Sequence, residues 1–429
     1  MFQLADRFEK FQNSGQLVGV GRAERDVDGH VIGLDHHGPV ADRLYLSTAD
    51  GGRAISDAVT EAYHIVNSGR ALAGLEPLAP KNGARFHFSL PGSVQGFQPD
   101  DSPESRGTVS VADVESADGE RCLALWYAGV TTGRPARVAT PTFIPPAAIQ
   151  MPGYALMASP TLYPYQTIRA AVSADAGSSG PVGVGLYIRA YGEGDRPVTL
   201  RGPVTMLAPG HQAILGWQVP DTAGAPIYEV GLELTSQSRV DGAVYLHSLA
   251  WEGEPWATFR RVPGDGVMWR RAWIEATDQF EPRWRDAFHP AQNQGTGLLI
   301  TGTREWRDYE VLATFKRDLV AEAGLAARVQ GLRRYYAMLV CADDKARLVK
   351  VLDGETRVLA ETDYVWPTDT AIDVSLEVIG RRQIGRIGEM VLLSSEDDDR
   401  PLTGGGIALV CTEGSVATDE ITVRPAEVW

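Results

Sequence analysis

Val184-Gly185-Leu186-Tyr187-Ile188-Arg189-Ala190-Tyr191 alternates along its whole length. Val184, Leu186, Ile188 and Ala190 fall on one face of an extended chain. Tyr187, Arg189 and Tyr191 fall on the other, because successive side chains of a strand point oppositely. Outward from this stretch, similar runs recur, separated by Gly, Pro, Asp or Ser. Upstream are Arg85–Leu90, Thr108–Val114, Cys122–Tyr127 and Thr167–Ser173, and downstream Ile227–Leu234 and Val244–Trp251. Many short strands at even spacing, without long helical runs, indicate a sandwich or jelly roll.

A second series begins near Glu254, with Gly297–Gly302, Tyr309–Lys316, Gly324–Val329, Tyr335–Cys341, Ala346–Leu352, Ile372–Ile379 and Gly406–Thr412. The fold class expected is therefore mostly β: two tandem antiparallel β-sandwiches, over residues 85–253 and 254–429, preceded by a small α/β segment over 1–84. In that segment Asp28-Gly29 suits a hairpin turn, Ile55, Val59, Ala62 and Val66 share a helix face, and Gly69 suits a helix C-cap. Residues 75–83, rich in Pro and Gly, read as a linker, and 1–84 as the end of something larger. Five of the ten tryptophans, Trp251, Trp256, Trp269, Trp273 and Trp284, lie between the two series. Their expected use is apolar packing of one sandwich on the other.

Lys and Arg total 40 against 55 Asp and Glu, a net charge of −15. An acidic chain with scattered arginines is a poor match for nucleic acid or an anionic membrane. No apolar run approaches the ~20 residues of a membrane helix. The N-terminus has no basic, then apolar, signal pattern, so the chain reads as cytoplasmic or as lacking an upstream segment. Cys122, Cys341 and Cys411 are widely spaced in apolar runs and read as buried thiols of a reducing compartment. No Gly-x-Ser-x-Gly, Walker or His-Glu-x-x-His motif is present, so no catalytic residue is assigned.

Phe86-His87-Phe88, Gln95-Gly96-Phe97 and Asp241–Leu249 resemble the galactose-binding-like jelly rolls appended to glycan-active enzymes. Such domains often carry Asp where this chain has His247. Gly297–Ile300, Trp306–Tyr309, Gly324–Arg328, Arg334–Tyr336 and Pro401–Leu409 resemble concanavalin-A- or laminin-G-like sandwiches, including the 3-keto-disaccharide hydrolase type. The pair also resembles the C-terminal tail of some bacterial ADP-ribosylglycohydrolase-family proteins, whose metal-binding Gly-Asp signatures this chain lacks. The resemblances imply a carbohydrate partner and an accessory role beside a glycan-active enzyme, with an upstream catalytic domain or chain as a further partner. The alternative they leave open is a glycoside hydrolase acting at the concave face of the C-terminal sandwich or between the domains. A laminin-G-like module that binds protein is a third reading.

Sugar recognition needs aromatic faces for stacking and planar polar groups for ring hydroxyls. Trp306, Arg328, Gln330, Arg333, Tyr335 and Tyr336 offer both. Strict alternation puts Arg328 and Gln330 opposite Ala327 and Val329, on the non-core side, with Tyr336 on the adjacent strand. The competing reading is a solvated sheet face. Tyr187, Arg189 and Tyr191 form a second candidate patch. The run Glu396-Asp397-Asp398-Asp399 suits a calcium ion, Ca2+, or a solvated loop. His36-His37, with Asp35 and Asp42 nearby, lacks an evident third ligand, and no metal site is assigned. Gly404-Gly405-Gly406 lacks the Lys-Ser/Thr of a phosphate loop and reads as a close approach of strands.

Overall fold

The computed structural model describes residues 22–25, 31–35, 86, 88, 94–115, 121–143, 159–281, 284–367 and 370–426. The helix, cap and linker expected over 55–83, and His36-His37, lie outside the described residues. Strands β1 (Arg22–Arg25) and β2 (Val31–Asp35) flank Asp28-Gly29 and pair antiparallel.

Ten strands follow: β3 (Gln98–Pro99), β4 (Thr108–Glu115), β5 (Arg121–Val130), β6 (Ala136–Pro141), β7 (Thr167–Ala174), β8 (Val182–Tyr191), β9 (Pro197–Leu207), β10 (Gln212–Gln218), β11 (Ile227–Thr235) and β12 (Val240–Glu252). They form two antiparallel five-stranded sheets, in the orders β10-β7-β12-β5-β4 and β3-β6-β11-β8-β9. Leu123, Leu125, Ile168 and Val244 from the first sheet and Val138, Val184, Ile188 and Val230 from the second share one apolar core.

The rest comprises β13 (Ala257–Arg260), helix α1 (Met268–Arg271), β14 (Ile274–Ala276), β15 (Ala291–Thr301), β16 (Tyr309–Gly331), β17 (Arg334–Cys341), β18 (Lys345–Leu352), β19 (Glu355–Asp363), β20 (Ile372–Ile379), β21 (Arg382–Ile387), β22 (Met390–Glu396), β23 (Gly406–Ala417) and β24 (Glu420–Pro425). The expected runs Tyr309–Lys316 and Gly324–Val329 are one strand, β16, which serves two layers. Its first half pairs with β24 and β20, and its second half with β23 and β17. A register shift between Arg317 and Val320 marks the crossing, where the strand bends as bulges do. Tyr309, Val311, Ala313 and Phe315 enter the core from the first half, leaving Glu310, Leu312 and Thr314 on the outer face. The outer face of the other layer, by contrast, is apolar. Ile300, Ala326, Tyr335, Ala337, Val349 and Val410 form a separate buried cluster there.

The tryptophans divide. Trp251, Trp269 and Trp273 are buried in the shared core, Trp256 is half exposed, and Trp284 stacks on His289. The contact between the two strand series centres on Tyr163, whose ring meets Trp306 edge-on at 4.7 Å and Phe259 at 6.0 Å. Ser159 Oγ donates to Gly302 O at 3.0 Å beside it. The cavity left there is about 20 Å³, room for a water and not for a sugar ring.

Candidate functional site

Three of the six side chains read as a C-terminal sugar site, Arg328, Gln330 and Tyr336, converge on the segment 402–404. Arg328 is 1% exposed and has φ of 49°. Register shifts after Ala326 and Ala327 mark a bulge at this point, which breaks the alternation that had placed Arg328 outward. Its guanidinium donates to Gly380 O (2.6 Å), Leu402 O (2.7 Å), Arg307 O (3.0 Å) and Asp308 Oδ1 (3.1 Å). Tyr336 is fully buried. Its hydroxyl donates to Asp397 Oδ2 (2.5 Å) and accepts from Leu402 N (2.9 Å), and burial pushes its pKa up. Gln330 Nε2 donates to Gly404 O (2.8 Å), and Trp306 O accepts from Gly405 N. These residues clamp the segment 402–406.

The segment is glycine-rich because it passes too close for side chains. A Cβ on Gly405 or Gly406 would overlap the backbone of Arg328 or Thr301, as the close-approach reading anticipates. Tyr335 belongs to the outer apolar cluster, and Arg333 is exposed and donates to Asp353 O. Three of the four acidic residues of the run face cations: Asp397 faces Lys350 (2.6 Å), Asp398 faces Arg381 and Asp399 faces Arg357 (3.6 Å). Asp397 is thus a buried ion-pair acceptor.

In the second patch two of the three side chains are covered and Tyr191 is half-buried. Tyr187 and Arg189 face away from the core as alternation requires, yet both are buried. Gly231 lies directly opposite Tyr187, and a Cβ there would strike the ring, so Tyr187 lies flat against the sheet. Arg137 and Arg189 cover it at 5.7 and 5.6 Å. Arg189 in turn binds Asp100 and lies 3.0 Å from Glu229. Burial opposes the charge on Asp100, but bonds from Arg189 and Ser102 outweigh it and hold its carboxyl below the usual range. Tyr191 stacks on Tyr228 at 4.3 Å. His247, which stands where an Asp was to be compared, shares a 2.8 Å hydrogen bond with Ser173 Oγ.

An open site lies elsewhere, on the outer face of β24, β16, β20 and β21. A groove of about 770 Å³ runs across it, within the range of small-ligand sites. Its floor is a ladder set by register: Glu310 opposite Glu377, Leu312 opposite Ser375, and Thr314 opposite Asp373. Directly opposed residues on paired strands have Cβ atoms ~5 Å apart, so each rung presents two side chains together. Arg386 Nη1 lies 3.4 Å from Glu310 Oε1 and 2.9 Å from Glu377 Oε2. Arg424, opposite Glu310 on β24, donates to Glu310 Oε2 from Nε (2.8 Å) and Nη2 (2.6 Å). Thr314 Oγ1 donates to Asp373 Oδ1 at 2.6 Å.

Glu310, Ser375 and Glu377 are each 8% exposed, so the floor is preset and largely dehydrated. Ser375 Oγ makes no hydrogen bond among the described residues. The sequence reading missed every residue of this ladder. Glu310-x-Leu312-x-Thr314 and Asp373-x-Ser375-x-Glu377 are ordinary polar faces of alternating strands, and nothing in one sequence says that they pair. Among the described residues no group of three His, Cys, Asp or Glu is placed to hold a metal.

No family model matches the chain, and no curated protein matches it. Among solved structures it is similar to the carbohydrate-binding module CBM66 from Bacillus subtilis, at 13% identity and a TM-score of 0.32, over 35% of this chain and 94% of that one. It is similar to a B. subtilis protein of unknown function with a galectin-like fold, at 13% identity and a TM-score of 0.30, over 36% and 89%. It is also similar to a tandem of two CBM22 domains from Paenibacillus barcinonensis, at 10% identity and a TM-score of 0.28, over 80% and 96%. At these identities and scores the ligand has to be argued from the groove's own side chains.

Proposed function

We propose that this chain binds carbohydrate in the groove of β24, β16, β20 and β21, as the accessory partner of a glycan-active enzyme. The observation that carries the reading is the ladder Glu310–Glu377, Leu312–Ser375, Thr314–Asp373, with Arg386 and Arg424 beside it. A sugar hydroxyl both donates and accepts. Carboxylates offer strong acceptors, guanidinium forks strong planar donors, and Ser and Thr offer both. Leu312 in the middle rung supplies apolar surface for the C–H groups of a ring. Because ion pairs hold Glu310 and Glu377 in place, little side-chain entropy is lost on binding.

Both buried carboxylates are already acceptors for arginine, which suits binding more than proton transfer to a leaving group. Hydrolysis at this groove is the rival and is read directly in the same assay. The test is a glycan array probed with the full chain, followed by titration of a bound glycan against Arg386→Ala and Glu377→Gln. Each variant's stability is checked by denaturant unfolding. Loss of a charged hydrogen-bond partner costs about 1.5–3 kcal/mol, so affinity falls roughly tenfold or more. Unchanged affinity in both variants moves the site elsewhere, and release of reducing ends favours the hydrolase.

A further inference from the structure

The charges along the groove are unevenly distributed. At one end Glu310 and Glu377 face Arg386 and Arg424 within 3.4 Å, and these charges offset one another. At the other end the lining carboxylates are Asp373 and Glu389, and the partner in contact is the neutral Thr314 hydroxyl. Arg386 and Arg424 are the only basic residues in the lining. Lys316, the next residue outward on the same face as Thr314, is spent on Asp286 (2.7 Å) and Asp419 (2.9 Å). Arg386 is paired opposite Ser375, but its guanidinium is turned to Glu310 and Glu377, and that of Arg424 to Glu310. Among the described residues neither arginine makes an ion pair with Asp373 or Glu389. Between the ends, Ser375 is more than nine-tenths buried, and its hydroxyl has no protein partner among the described residues.

We infer that the groove takes an amine-bearing glycan, with a protonated sugar amine at Asp373 and Glu389 and ring hydroxyls at Ser375, Glu377 and Arg386, and that it excludes uronate and sulfated glycans. The inference rests on the sugar-binding reading and adds the charge class of the ligand. An ammonium group has three donors and no acceptor, which matches two carboxylates with unspent oxygens. An anionic sugar at the same place meets two like charges, within the field of a chain whose net charge is −15.

The experiment is calorimetric titration of the full chain with glucosamine, N-acetylglucosamine and galacturonate oligomers of equal length, at low salt and at ~1 M salt. The glucosamine oligomer should bind roughly fivefold more tightly than its acetylated counterpart at low salt, the scale of an exposed ion pair. The margin should vanish at high salt, where screening acts within ~3 Å. It should also vanish in the double variant Asp373→Asn/Glu389→Gln, and galacturonate should not bind. A preference that persists in the double variant would be general attraction to an acidic surface and would overturn the inference. So would equal binding of the two amino-sugar oligomers, tighter binding of galacturonate, or failure of glucosamine to bind while neutral array glycans do. If no glycan of any charge binds, it is the sugar-binding reading that fails.

Discussion

Arg328→Ala separates a structural arginine from a ligand-binding one. The side chain is 1% exposed and serves Gly380 O, Leu402 O, Arg307 O and Asp308 Oδ1 within 3.1 Å. Truncation leaves three carbonyls short of a donor, at about 1–3 kcal/mol for each one that water cannot reach. Asp308 is 47% exposed, so its share is screened and small. These losses do not add fully, and the expected destabilisation is about 3–5 kcal/mol, the scale of breaking a buried charged network. Backbone geometry supplies a second signature. At φ of 49° a Cβ costs roughly 1–2 kcal/mol, whereas glycine adopts this region freely. Arg328→Gly should therefore be no less stable than Arg328→Ala, the reverse of the usual order in strands. The assay is urea unfolding followed by tryptophan fluorescence, with the slope compared among variants. A variant within about 1 kcal/mol of the parent that nonetheless loses glycan affinity tenfold would refute this reasoning and return Arg328 to a binding site.

Three further outcomes follow from the same packing. Trp306→Ala should cost about 3–5 kcal/mol by opening a cavity against Tyr163 and Tyr309, yet Trp306→Phe should cost less than about 2, because the buried indole Nε1 makes no hydrogen bond among the described residues; thermal unfolding of both variants checks the order. Burial works against an ionised Asp397, but bonds from Lys350 and Tyr336 prevail and lower its pKa, so the stabilisation is complete above about pH 4 and is lost as pH falls through the folded-state value; Asp397→Asn should flatten that part of the stability curve, and an unaltered acid limb would contradict it. Burial pushes Cys341 up to about 12 and Cys411 to about 11, and Cys122 is buried too, so a thiol reagent should titrate no cysteine in the native state and all three after denaturation.

The strands were legible because their signal is local. The Val184–Tyr191 alternation lies inside the strand Val182–Tyr191, and Tyr335–Cys341 and Ile372–Ile379 lie where their apolar period puts them, within a residue. Side-chain direction was legible only where the register stayed regular. At Arg328 one bulge reverses the face, and at Tyr187 the absent side chain of Gly231 lets an outward ring lie down and be covered. The groove was not legible because it depends on pairing between β16 and β20, whose partnered residues stand 57 to 69 positions apart, from Phe315 with Ile372 to Tyr309 with Val378. Glu310 and Glu377 read separately as solvated charges, and they become a site only across that pairing.

The most direct measurement is titration of an array-identified glycan against a variant that fills the groove without touching the core. Thr314 is exposed in the lining beside Asp373, and Thr314→Trp places a ring over Asp373 and Ser375. The account predicts an unchanged unfolding midpoint with at least a tenfold loss of affinity, while a tryptophan at Thr199, on β9 of the other sandwich, leaves affinity intact. Parent-like affinity in Thr314→Trp would contradict the assignment of the ligand to this groove.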